Sequence, residues 1–184
     1  GSGWTASLAH GLGLQRGPLV TRHDFEVEGL AHPLKFAFAS DLHSGPFTHP
    51  AHLDLVAEAL TAADVDVLLL GGDYVTHRAK NVLPLTRLLG RVPARIGRFA
   101  VLGNHDLWAD DRAIVAAFEE NGVRVLVNEG LALPAPFGGV SLVGLDDPRS
   151  GRPDAARALE GAEAVRIVLM HAPSGLLSLG EHDF

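Results

Sequence analysis

The chain has 184 residues, 47% of them hydrophobic and 6% aromatic, and a formal net charge of −7. That length suits one domain of ordinary size, with a core that Leu, Val and Ala must largely fill. The absence of cysteine excludes disulfides and thiolate metal sites, no apolar run reaches the roughly eighteen residues of a membrane-crossing helix, and the scattered Lys and Arg argue against general nucleic-acid binding.

Residues 1–20 are glycine-rich and weakly apolar, without the basic start and long apolar middle of a signal peptide; a flexible lead-in is expected. Residues 19–29, LVTRHDFEVEG, read as an exposed strand or hairpin arm, and 34–40, LKFAFAS, as a buried strand apolar on both faces. A helix is predicted over 50–62, where Leu53, Val56, Ala57 and Leu60 share one face, Pro50 suits the first turn and Thr48 or His49 serves as cap. A strand over 65–72 follows, then a helix over 82–89 with Leu85, Leu88 and Leu89 inward, and a strand over 98–103. The next helix has Asp110 or Asp111 as cap, Ile114, Val115 and Phe118 on one face and Gly122 as stop. Residues 123–128 read as a strand, and 131–136 and 140–145 as paired strands around a turn at 137–139. A short helix over 153–160 and a strand over 165–170 complete the reading. Alternating strands and helices followed by strands in succession predict a layered α/β domain with mixed sheets.

Four polar clusters stand just past the carboxyl ends of predicted strands: Asp41 and His43; Asp73; Asn104, His105 and Asp106; and His171. Parallel strands bring such ends to one edge of a sheet. Carboxylate, imidazole and amide oxygen are ligands for Mn, Fe, Zn or Co, and the set fits a centre of two divalent ions. On extended backbone Asp41 and His43 point the same way, and Asp73 has two oxygens with which to bridge. Asn104 is expected to turn toward metal, while Asp106 holds His105 beside a substrate. Singly, Asp-x-His or Gly-Asp reads as a turn; the four together, in this order, point to chemistry.

Lesser candidates keep two readings each. Asp146 and Asp147 build a turn or support the site, and Arg149 and Arg152 are solvated or meet a phosphate. His77 and Arg78 lie on a surface loop or border a substrate mouth, and Trp108 walls a cleft or packs under the next helix.

With these residues in view, the sequence resembles the calcineurin-like metallophosphoesterases. Their series of Asp-x-His, Gly-Asp, Gly-Asn-His-Asp and His is matched at Asp41 and His43, Gly72 and Asp73, Gly103 to Asp106, and His171. The phrase VGLDDP is similar to the bacterial membrane-associated phosphodiesterase branch, which includes relatives of enzymes that cleave UDP-diacylglucosamine.

The resemblance implies a metallophosphoesterase-type sandwich of mixed β-sheets flanked by helices over 21–184. It implies two divalent ions, with Asp41 and His43 on the first, Asp73 bridging, and Asn104 and His171 on the second. A bridging hydroxide would attack phosphorus while His105 protonates the leaving oxygen and Asp106 orients His105. Substrates would be phosphate esters or diphosphates, lipid-linked ones included, in a cytoplasmic or peripherally membrane-associated setting. The rival reading is a non-catalytic scaffold of the same fold; such forms typically lose the histidine that His105 supplies here. One motif of the series, Gly-His-x-His, is absent from the 184 residues. A longer chain is therefore expected to bind metal more tightly and to be the active form, with His182 the weaker stand-in.

Overall fold

The computed structural model describes residues 4–13 and 17–180. Helix α1 (Trp4–Gly11) precedes a long irregular segment and strand β1 (Phe36–Ala39). Then come α2 (Pro50–Ala62), β2 (Val65–Leu70), α3 (Val82–Leu89), β3 (Ala94–Ala100), α4 (Asn104–Ala109), α5 (Asp111–Glu119) and β4 (Arg124–Val125). The four strands form one sheet in the order β1-β2-β3-β4, every pair parallel. When strand order follows chain order and all crossovers share one hand, the connecting helices gather on one face. Leu68, Leu70 and Ala100 accordingly pack on that side with Leu53, Leu60, Leu85, Leu89, Ile114 and Phe118.

The alternate residues of the same strands face the other way. Val67, Leu69 and Phe99 meet Val140, Leu142 and Leu169 of a second sheet. That sheet consists of β5 (Glu129–Ala132), β6 (Val140–Gly144) and β7 (Val165–Leu169), with β5 antiparallel and β7 parallel to β6. Helix α6 (Ala155–Ala158) covers its outer face, where Val143 and Leu145 join Ala155, Ala158 and Leu179. The layers are thus helix, sheet, sheet, helix, as the fold class predicts; only the second sheet is mixed.

The amphipathic helices form where expected. Leu53, Val56, Ala57 and Leu60 of α2 are buried, and His49 caps it by accepting the Ala51 N–H on its ring Nδ1 at 3.2 Å. The buried set of α3 is Val82, Leu85, Thr86 and Leu89.

Other expectations need correction. Residues 19–29 form no strand, because a ladder needs a neighbour and none of the described residues runs beside them. The expected lead-in is helical over Trp4–Gly11, with Ala6 buried. Strand β1 is an edge strand rather than a buried one, and Phe36 and Phe38 are 44% and 54% exposed. The strand expected over 123–128 shrinks to two residues, and the Asn-His-Asp triplet begins a helix, α4, instead of lying in a loop. His182 lies outside the described residues, among which no helix is long and apolar enough to cross a membrane.

Candidate metal centre

Past β1 and β2 the chain continues as two loops side by side. Asp41 N–H donates to the Gly72 carbonyl at 2.9 Å, His43 N–H to Asp73 at 3.0 Å and Ser44 N–H to Tyr74 at 2.7 Å. The backbone here is not extended, contrary to the sequence reading. Asp41, His43 and Asp73 have φ of 56°, 42° and 56°, the left-handed region that non-glycine residues rarely occupy. Such strain persists where surrounding structure enforces it, and it gathers at functional sites.

Asp106 supplies much of that enforcement. Its Oδ2 accepts the N–H groups of Asp73 at 2.8 Å and Gly103 at 3.0 Å, and its Oδ1 those of Tyr74 at 2.9 Å and Val75 at 3.3 Å. The residue is fully buried. Burial pushes its carboxyl up to about 6, and the bonds from Gly103, Val75 and Tyr74 pull the other way. Asp106 was expected to orient His105, and it does not bond to that ring. The Thr76 carbonyl does, at 2.8 Å from His105 Nδ1. Beneath the loops the buried Tyr74 hydroxyl lies 2.9 Å from the Leu70 carbonyl and 2.8 Å from that of Val101, and it accepts the Gly72 N–H at 3.1 Å.

Asp73 is the hub. Its side chain is 5% exposed and three imidazoles surround it. His171 Nε2 lies 3.6 Å from Oδ1, His43 Nε2 3.7 Å from Oδ2 and His105 Nε2 4.0 Å from Oδ2. Asp41 Oδ1 is 3.9 Å from His43 Nε2. The His43 and His105 rings meet edge to face at 5.0 Å. Asn104, the first residue of α4, is buried, and the next residue's N–H donates to Asp73 Oδ1 at 2.9 Å. A β-carbon on Gly103 would collide with the Asp73 carboxylate, so only glycine permits this approach.

These separations exceed the roughly 2.7–3.2 Å of a hydrogen bond. They suit ligands sharing an ion at about 2.1 Å, which lie roughly 3.0–4.2 Å apart according to angle. Asp41, His43 and Asp73 each offer one atom within 4.8 Å of the others. The tautomers fit too. His171 Nδ1 lies 2.8 Å from the Gly71 carbonyl, as His105 Nδ1 does from Thr76. A carbonyl only accepts, so both Nδ1 atoms carry a proton and both Nε2 atoms are left facing Asp73, where that of His171 can offer a lone pair to a cation. The donor set therefore fits divalent cations.

Residues 34–181 match the sequence profile of the calcineurin-like phosphoesterases. The chain belongs to that family. Among its relatives, an uncharacterized metallophosphoesterase of Helicobacter pylori is 27% identical over 92% of this chain and 46% of its own length. Phosphodiesterase YaeI of Escherichia coli is 31% identical over 78% of this chain and 54% of its own. A transmembrane protein with metallophosphoesterase domain from Bos taurus is 26% identical over 85% and 39%. The chain spans about half the length of the curated relatives it matches.

Sequence reasoning missed the Thr76 and Gly71 carbonyls and the Tyr74 tie, since a backbone acceptor has no residue type to betray it. The lesser candidates separate. Asp147 accepts the Arg149 and Ser150 N–H groups, and Asp146 those of Asp147 and Arg152, so both build the turn. Trp108 is 65% exposed and lies 4.8 Å from the His105 ring rather than packed under a helix. A cleft of about 350 Å³ between α5 and the loop after β4, lined by Leu107, Arg112, Val115, Glu119 and Asp146 among others, contains none of the ligand candidates.

Proposed function

We propose that this calcineurin-like phosphoesterase hydrolyses phosphodiesters or diphosphates with a pair of divalent ions. The observation that carries the reading is the convergence of three imidazole Nε2 atoms, from two loops and a helix distant in sequence, within 4.0 Å of one buried carboxylate. Asp41 and His43 would hold one ion, Asn104 and His171 the other, and Asp73 both. Bound ions would supply Lewis acidity, polarising phosphoryl oxygens and acidifying the attacking water.

The chain's own groups do the rest. Asp106 and Tyr74 fix the two loops so that the ligands wait in place. His105, steadied at Nδ1 by Thr76, turns Nε2 toward Asp73, where a leaving oxygen would take a proton from it as the P–O bond breaks. The Thr76 carbonyl also stabilises the doubly protonated ring that precedes this transfer. Lipid-linked esters remain within the substrate class, and YaeI, named a phosphodiesterase, favours diesters.

The test is hydrolysis of bis-p-nitrophenyl phosphate by the full-length protein with Mn²⁺ and with chelator. Turnover should require metal and fall at least about 100-fold in Asp73→Asn and His105→Ala. No metal-dependent turnover, or turnover that neither change affects, would favour the scaffold reading.

A further inference from the structure

Helix α4 carries His105 at its second position and Trp108 three residues later, so both side chains share one face. The indole lies 4.8 Å from the imidazole, tilted by 58°, and is 65% exposed. His77 approaches the same imidazole from the loop after Thr76, ring centroids 6.0 Å apart. Two sides of His105 are already committed: Nδ1 to the Thr76 carbonyl, and Nε2 toward Asp73. Trp108 and His77 lie beside the rest of the ring, where a leaving group that takes the His105 proton would meet them.

We infer that Trp108, with His77 beside the same imidazole, forms a stacking subsite for a planar ring carried on the leaving group. This rests on the phosphohydrolase reading and specifies one side of its substrate. The chemistry is aromatic stacking: an exposed indole offers a large, rigid apolar face, which a flat ring covers and an alkyl group covers poorly. The inference makes Trp108 a specificity-determining residue. The proton transfer at His105 is unchanged by it.

Two metal-dependent substrates isolate the leaving side: methyl p-nitrophenyl phosphate, which releases a flat phenolate, and methyl trifluoroethyl phosphate, which releases an alkoxide. In the full-length protein, Trp108→Ala should lower the ratio of their kcat/KM values about tenfold in disfavour of the aryl ester, and Trp108→Phe should restore most of it. Dithymidine monophosphate separates two sources of a flat ring: a Trp108→Ala defect on it identifies a nucleoside, and a defect confined to the aryl ester identifies a phenolic group. A second measurement does not depend on turnover. In the 184-residue chain, where Trp4→Phe leaves Trp108 as the one tryptophan, uncleavable 4-nitrobenzylphosphonate should quench its fluorescence saturably, and ethylphosphonate should not. Equal loss on both methyl esters, or an unquenched Trp108, overturns the subsite and leaves the phosphohydrolase standing. Absence of metal-dependent turnover in the parent protein, seen before any variant is made, overturns both.

Discussion

Asp106 grips Asp73 by its backbone, accepting the N–H at 2.8 Å, and thereby leaves the Asp73 side chain free to face three histidines. One carboxylate positions and the other is offered to cations. The two differ in their partners: backbone amides alone for Asp106, one backbone amide and three imidazole nitrogens for Asp73.

Replacing Asp106 by Asn turns one acceptor into a donor aimed at buried N–H groups. The metal-free protein should lose about 3 kcal/mol, an unsatisfied buried cluster being the cause. Denaturant unfolding of the two forms in chelator measures it, and equal midpoints would refute the tie.

The same residue sets a pH signature in metal-free protein. Its folded value of about 6 lies above the 3.8 of an ordinary aspartate, so the folded chain takes up this proton first as pH falls. The contribution of Asp106 to stability is full below about pH 4 and lost as pH rises through about 6, a span of about 3 kcal/mol. The quantity to compare is the pH slope of unfolding free energy, which should flatten over that window in Asp106→Asn.

Gly103→Ala should separate site from fold. The added methyl meets the Asp73 carboxylate and backbone, and these must shift. Mn²⁺ affinity should drop at least tenfold for a stability cost of about 1–3 kcal/mol. Titration calorimetry with thermal unfolding shows whether affinity is indeed the larger loss.

The three histidines should respond differently. His43→Ala and His171→Ala should weaken Mn²⁺ binding first, each removing a donor beside Asp73. His105→Ala should cut kcat about 10²–10⁴-fold with a far smaller change in affinity. A His105 variant that binds metal as poorly as the other two would reassign His105 as a ligand.

Tyr74→Phe removes a hydroxyl that serves two carbonyls and one N–H in the core. Unfolding should become easier by about 1–3 kcal/mol. The metal ligands do not touch this hydroxyl, so saturating Mn²⁺ should still bind.

Sequence alone located what depends on local pattern. Helices α2 and α3 follow from apolar spacing, and Pro50 marks the start of α2. The clusters containing Asp41, Asp73, His105 and His171 stand out because polar residues interrupt apolar runs at strand ends. Exposure was less legible: Phe36 and Phe38 look like core until β1 is seen to have no outer neighbour among the described residues. The role expected for Asp106 failed for a related reason. Adjacency to His105 suggested a contact, but on a helix the third residue reaches back to the amide of the residue before the first turn, here Gly103.

The two ends of the cradle differ in access to water. The Asp41 side chain is 56% exposed and that of His171 only 9%. On the proposed two-ion reading, a cation near Asp41 would shed its ligands one at a time into solvent, whereas one near His171 would first have to pass its neighbour. Dialysis would then strip such a protein in two unequal stages, and a preparation left half loaded would keep its inner occupant.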